Sequence, residues 1–232
     1  VPSGYRALCS KNLSSTSPLI MRPQKHFDTI LYTGNASTQK ITGLEFKPDM
    51  IWFKSRTSTS THGMADSVRG RSKLFYPDAT NNEETSSTTR DLVSFDESGF
   101  TVGNPQRLNS TNGDGLSIVA WCWKAGGSSN TYNIDGKGYS SVSAAGLDGG
   151  TITPTGASIN TKARFSIIGY TGNGSGGSTV EHGLGVVPTF MIIKKRTGDN
   201  WMTYHQGANN FSSPQNYYFE LNSNSGDIGS TS

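Results

Sequence analysis

The chain has 232 residues, enough for one large all-β domain or two domains of ordinary size. Its net charge is +3 and its Lys and Arg form no long block, which leaves nucleic-acid and membrane-surface binding without an electrostatic footprint. Charged residues make up 16% of the chain, while Ser and Thr number 57 and Gly 28, a composition of extracellular or viral β-structure rather than of a cytosolic enzyme.

In chain order, residues 1–28 carry Pro2, Pro18 and Pro23 with no sustained period, and read as an extended lead-in. From Thr29 the pattern changes to short runs rich in β-branched and aromatic residues, separated by Gly, Asn and Ser. Thr29–Thr33, Met50–Lys54, Gly99–Val102 and Ile118–Trp123 are predicted strands. No apolar run reaches the 18 residues of a membrane-spanning helix, and no helical period is sustained, so the fold class is all-β. Residues 128–164, rich in Gly and Ser, read as a connection holding one or two short strands. The apolar runs Met50–Phe53 and Phe190–Ile193 are continuous rather than alternating, which predicts strands covered on both faces.

An internal repeat organises the chain. Leu31-Tyr-Thr-Gly-Asn35 returns as Gly169-Tyr-Thr-Gly-Asn173, and Gly43-Leu44 as Gly183-Leu184. Pro48 returns as Pro188, and Met50-Ile-Trp-Phe-Lys-Ser-Arg-Thr57 as Phe190-Met-Ile-Ile-Lys-Lys-Arg-Thr197. The spacing is 138 at the first block and 140 afterwards, the signature of a duplicated domain. Residues 29–127 form the first repeat and 165–232 the second. The first repeat continues through Ser94–Gly103 and Val119–Lys124 without counterparts in the second, so the second is expected to be incomplete and the sequence a piece of a longer polypeptide.

The repeats share turn and core residues rather than acids, bases or nucleophiles, so no catalytic residue is assigned and the chain is expected not to be an enzyme. His26, His62, His182 and His205 lie far apart, and Cys9 and Cys122 are distant, so neither a metal site nor a cofactor is expected. Cys9 and Cys122 allow one bridge at most. Cys122, between Trp121 and Trp123, reads as a buried inert thiol. Gly172–Gly177 reads as a loop rather than a nucleotide site, because no helix is predicted after it. Asn112–Gly115 reads as a tight turn rather than a calcium loop. Lys54 and Arg56 match Lys194 and Arg196, read as solvent-facing strand ends, with a paired anion contact as the alternative. Aromatic residues gather in the second repeat. Trp201, Tyr204 and Tyr217 are candidate glycan contacts if their rings are exposed, since a ring packs on the C–H face of a sugar.

Several of these blocks occur together in a known setting. Tyr32–Asn35, Ile41–Lys54, Asp66-Ser-Val-Arg-Gly70, Phe95–Gly103 and Ala120-Trp-Cys-Trp-Lys-Ala-Gly-Gly127 resemble a repeated β-domain in virion structural and tail-fibre proteins of tailed bacteriophages, notably marine and cyanobacterial phages. Residues 2–13 are similar to the segment that joins a preceding SPRY-like domain to this repeat, and Trp201–His205 to a Trp-x-x-Tyr-His strand. The resemblance covers about residues 1–127 and 165–225 and carries no catalytic or ligand residues. It implies two related β-sandwich modules of jelly-roll or lectin-like type. It also implies a virion component, part of a tail fibre or similar appendage, that adheres to host-surface glycan. Other virion proteins and host polysaccharide would be partners, and fibre proteins of this kind imply a homotrimer. A capsid or tail decoration protein without ligand binding, and a polysaccharide depolymerase, are the alternatives.

Overall fold

The computed structural model describes residues 20–226 and 228–229. Cys9, the proline-bearing start of the lead-in, and any Cys9–Cys122 pairing lie outside the described residues. The first half holds β1 (Phe27–Thr33), β2 (Gln39–Thr42), β3 (Met50–Ser55), β4 (Gly63–Asp66), β5 (Lys73–Leu74) and β6 (Glu84–Thr85). It continues with β7 (Leu92–Asp96), β8 (Gly99–Val102), a single helical turn α1 (Asn109–Asn112) and β9 (Ser117–Trp123). The second half holds β10 (Tyr132–Ile134), β11 (Lys137–Tyr139), β12 (Pro154–Asn160) and β13 (Phe165–Tyr170). It ends with β14 (Phe190–Lys194), β15 (Trp201–His205), β16 (Tyr217–Glu220) and β17 (Ile228–Gly229). The protein is all-β, as its sequence predicts, built from small and mainly antiparallel sheets in a propeller-like arrangement.

In the first repeat, β9 lies at the centre of the sheet β1-β9-β3-β4, and β2-β8-β7 forms a second sheet. Side chains of both sheets meet in one core: Ile51 and Phe53 of β3, Ala120 and Cys122 of β9, Ile41 of β2, Leu92 of β7, and Phe100 and Val102 of β8. Alternation along β3 explains the choice. Ile51, Phe53 and Ser55 point inward and are buried, whereas Met50, Trp52 and Lys54 are half-buried on the opposite face. That opposite face is covered too, because Met50 and Trp52 pack against a cluster of Met64, Phe75 and Trp201. The expectation of a strand covered on both faces therefore holds for β3. It fails for β14, where Phe190, Met191 and Ile193 are exposed and Ile192 packs inward.

The repeats share local geometry. Met50 lies opposite Asp66 in the β3–β4 hairpin, and Phe190 opposite His205 in β14–β15. Phe75 bridges to Met64 of β4, as Phe219 pairs with Thr203 of β15. Asn35 Oδ1 accepts the N–H of Ser37 and Asn173 Oδ1 that of Ser175, each two residues on in the same kind of Asx turn.

Residues 128–164 are more than a connection. Three strands, β10, β11 and β12, join β13 in the sheet β11-β10-β12-β13, with β10 and β12 parallel. This sheet has its own core of Tyr132, Leu147, Ala157 and Ile159. The apolar residues are too widely spaced among Gly and Ser to display a strand period, so the sequence concealed the sheet.

Candidate functional site

Among the described residues, two of the surface clefts bear on a candidate site. The larger, about 630 Å³, lies where the start of β1, the β2–β3 loop and the turn after β9 meet the β10–β13 sheet. Its floor is set by Asp49, placed by Pro48 at the start of β3 and almost fully buried. Asp49 Oδ2 accepts the N–H groups of Ala125 (2.8 Å) and Gly127 (3.1 Å), and Oδ1 accepts the Ser67 hydroxyl (3.0 Å). Burial pushes the Asp49 carboxyl above its ordinary range, against the hydrogen bonds and the nearby Lys124 charge. Gly126 passes so close to β10 and β12 that a Cβ there would stand 2.3 Å from the Asn133 carbonyl oxygen. Ser158 locks the same turn by accepting from Gly126 N–H and donating to the Gly127 carbonyl. The Ala-Gly-Gly block after β9 is thus a backbone clamp between the two sheets.

The walls of this cleft are polar. His26 shares a 2.9 Å hydrogen bond with Asn160 Nδ2, which also donates to the Lys124 carbonyl. Burial, followed by the charges of Lys124 and Lys162, lowers the His26 pKa below its ordinary value. Asp135 accepts both the N–H and the hydroxyl of Thr161, and Glu45 is paired with Arg22 at 2.6 Å. Lys47, Lys124, Lys162 and Glu97 reach the cleft with exposed side chains and make no ion pair among the described residues. They are available to a ligand as donors and an acceptor. Nothing in the repeat pointed to this cleft, since the second repeat has Thr189 where the first has Asp49. The usable signal was a carboxylate placed directly before an apolar strand, which must find partners when it is buried.

The smaller cleft, about 250 Å³, lies on the β14–β15–β16 sheet and is walled by Met191, Ile193, Met202, Tyr204, Tyr217 and Tyr218. It brings Tyr204 and Tyr217 together, both half-buried. It does not include Trp201, which is 2% exposed and donates its indole N–H to the carbonyls of Tyr76 (2.9 Å) and Ala79 (3.1 Å). Alternation turns Trp201 to the opposite face of β15, against Phe75, so its ring is core and offers no face to a sugar.

The remaining candidates serve the scaffold. Cys122 is fully buried, and burial, then the Asp28 charge, pushes its thiol far above the ordinary range. Lys54 donates to the carbonyls of Ser58 and Ser60, and Lys194 to those of Asp199 and Thr80, so the matched lysines tie down hairpin loops. Arg196 forms a two-pronged pair with Glu83. Asn112 is a buried hub that donates to the Ser37 and Gly103 carbonyls and accepts from Asn35 N–H and Gln39. Gly172–Gly177 is an exposed loop with no helix after it. Among the described residues no three His, Cys, Asp or Glu gather as metal ligands, and no helix is long and apolar enough to cross a membrane.

Fold and cleft together define a protein of small sheets with a polar surface cleft where two sheets join. The family model for the domain of unknown function DUF7483 matches residues 22–232, and the chain belongs to that family. Neither a curated protein nor a solved structure matches it.

Proposed function

We propose that the chain is a non-enzymatic virion component of a tailed phage, part of a tail fibre or similar appendage, and that the polar cleft contacts host-surface polysaccharide. The observation that carries the reading is the wall of Lys47, Lys124, Lys162 and Glu97, which make no ion pair among the described residues, above a floor fixed by Asp49. Neighbouring hydroxyls of a sugar need donors and acceptors side by side on a surface that does not rearrange, and this cleft offers both. The resemblance of Tyr32–Asn35, Ile41–Lys54 and Phe95–Gly103 to a repeated domain of phage appendage proteins supplies the setting. Repetition along a fibre and across a homotrimer would turn weak single contacts into firm adhesion. On the same reading, residues 29–127 are a β-sandwich of jelly-roll or lectin-like type, supported by the single core that its two sheets share. Residues 165–232 are then a second, related module.

The test is a host-glycan array probed with the purified chain and with a Lys124→Ala/Lys162→Ala variant, beside gold-labelled antibody on intact virions. Binding that falls at least tenfold in the variant, with label on the appendages, supports the proposal. Label on the capsid with no glycan retained makes the protein a decoration component. Release of reducing ends from host polysaccharide would make it a depolymerase.

A further inference from the structure

One buried amide organises a wall of the larger cleft. Asn160, at the end of β12 and 4% exposed, accepts the Ala163 N–H on Oδ1 at 2.9 Å, and its Nδ2 donates to the Lys124 carbonyl at 3.1 Å. Reversing the amide would set N–H against N–H and oxygen against oxygen, so its orientation is fixed. His26 Nδ1, 2.9 Å from the same Nδ2, is therefore the acceptor, and the neutral ring carries its proton on Nε2. Burial, followed by the charges of Lys124 and Lys162, favours that neutral form. Lys124 is held to His26 by its own N–H, which donates to the His26 carbonyl at 2.8 Å. Lys162 lies inside the turn that the Asn160–Ala163 bond closes. Two ammonium groups and an imidazole N–H thus line one cleft, gathered by a single side chain.

The carboxylates around them are mostly engaged. Asp49 accepts from Ala125, Gly127 and Ser67 beneath the floor, Asp135 accepts the N–H and hydroxyl of Thr161, and Glu45 is paired with Arg22. Among the described residues the Lys47, Lys124 and Lys162 ammonium groups have no partner, and of the lining carboxylates only that of Glu97 has none. The charge left for a ligand is positive on balance. The one phenyl ring in the lining, Phe46, is buried, so no Phe, Tyr or Trp face of the lining is open to stack on a neutral sugar.

We infer that the Lys124–Lys162–His26 wall binds the acidic substituent, a carboxylate or a sulfate, of an anionic polysaccharide, with Asn160 as the positioning residue. This rests on the polysaccharide reading of the cleft and names its ligand class. The two lysines neutralise the acid, and the His26 Nε2–H, which makes no hydrogen bond among the described residues, donates to one of its oxygens.

The experiment titrates the whole chain calorimetrically with oligogalacturonate and its methyl ester, and with a sulfated galactan oligosaccharide and its desulfated form. In at least one pair the acid is expected to bind at least tenfold more tightly than its masked partner, and that preference should shrink as salt is raised. The pair that shows it tells carboxylate from sulfate. Lys124→Gln/Lys162→Gln, at exposed positions, should erase the preference at an unchanged melting temperature. Nitrogen-15 spectra should show His26 protonated on Nε2 at neutral pH, with that resonance shifting when the preferred acid is added. Equal affinity for free and masked forms, or a His26 protonated on Nδ1, would overturn the inference and leave the polysaccharide reading intact. Binding of none of the four probes overturns it where the host-glycan array retains neutral glycans alone; where the array also retains nothing, the polysaccharide reading falls with it.

Discussion

Thr203 lies on β15 between Met202 and Tyr204 with its side chain turned toward the Trp201 side of the sheet, and it is 6% exposed. Its hydroxyl has no hydrogen-bond partner among the described residues. A buried unsatisfied hydroxyl costs about 1–3 kcal/mol, and valine has nearly the same shape without that cost. Thr203→Val is therefore expected to stabilise the protein by about 1 kcal/mol, seen in calorimetry as a melting temperature higher by roughly 2–4 °C. Trp201 beside it shows how far residue chemistry could be read. An aromatic strand is visible in the sequence, but whether its ring meets a ligand or a core depends on which face the neighbouring sheet covers.

At the scale of elements, the β10–β11 hairpin is the instructive case. Asp135 and Gly136 connect Ile134 to Lys137 and have φ of 51° and 89°, the two positive values a tight two-residue hairpin turn requires. The Asp-Gly pair is a strong hairpin signal, yet it was submerged in a Gly- and Ser-rich stretch with few apolar residues to frame it. Gly136→Ala places a side chain in left-handed backbone and is expected to cost about 1–2 kcal/mol, measured by denaturant unfolding. Space is open at that Cβ, so the loss should come from backbone conformation alone. The strands of the first repeat were more legible, because Met50–Lys54 and Ile118–Trp123 are dense in β-branched and aromatic residues and bounded by turns.

Across the whole molecule, the contacts between the first repeat and residues 165–232 include apolar packing around Trp201 and one shared carboxylate. Glu83 accepts from Arg196 of the second repeat at 2.6 and 3.0 Å and from Arg69 of the first at 3.2 Å, while Arg69 also pairs with Asp66 at 2.6 Å. Burial alone would raise the Glu83 carboxyl; the hydrogen bonds from Arg196 and Arg69 and their charges outweigh it and hold the group below its ordinary range. Because the folded value lies below the unfolded one of about 4.3, the stabilisation is complete above that pH and is lost as pH falls through the folded value. Thermal stability followed from pH 6 to pH 3 should decline more steeply in the native chain than in Glu83→Gln, which has no carboxyl to titrate. By itself the sequence determined the all-β class and the burial of the Cys122 thiol, because strand propensity, turn residues and an apolar strand setting are local properties of the chain. Only the tertiary structure decided that Trp201 is core, that residues 128–164 build a sheet, and that a polar cleft and an open apolar face exist. Each of those depends on which surfaces distant segments bring into contact, and burial is a property of the pair rather than of either segment.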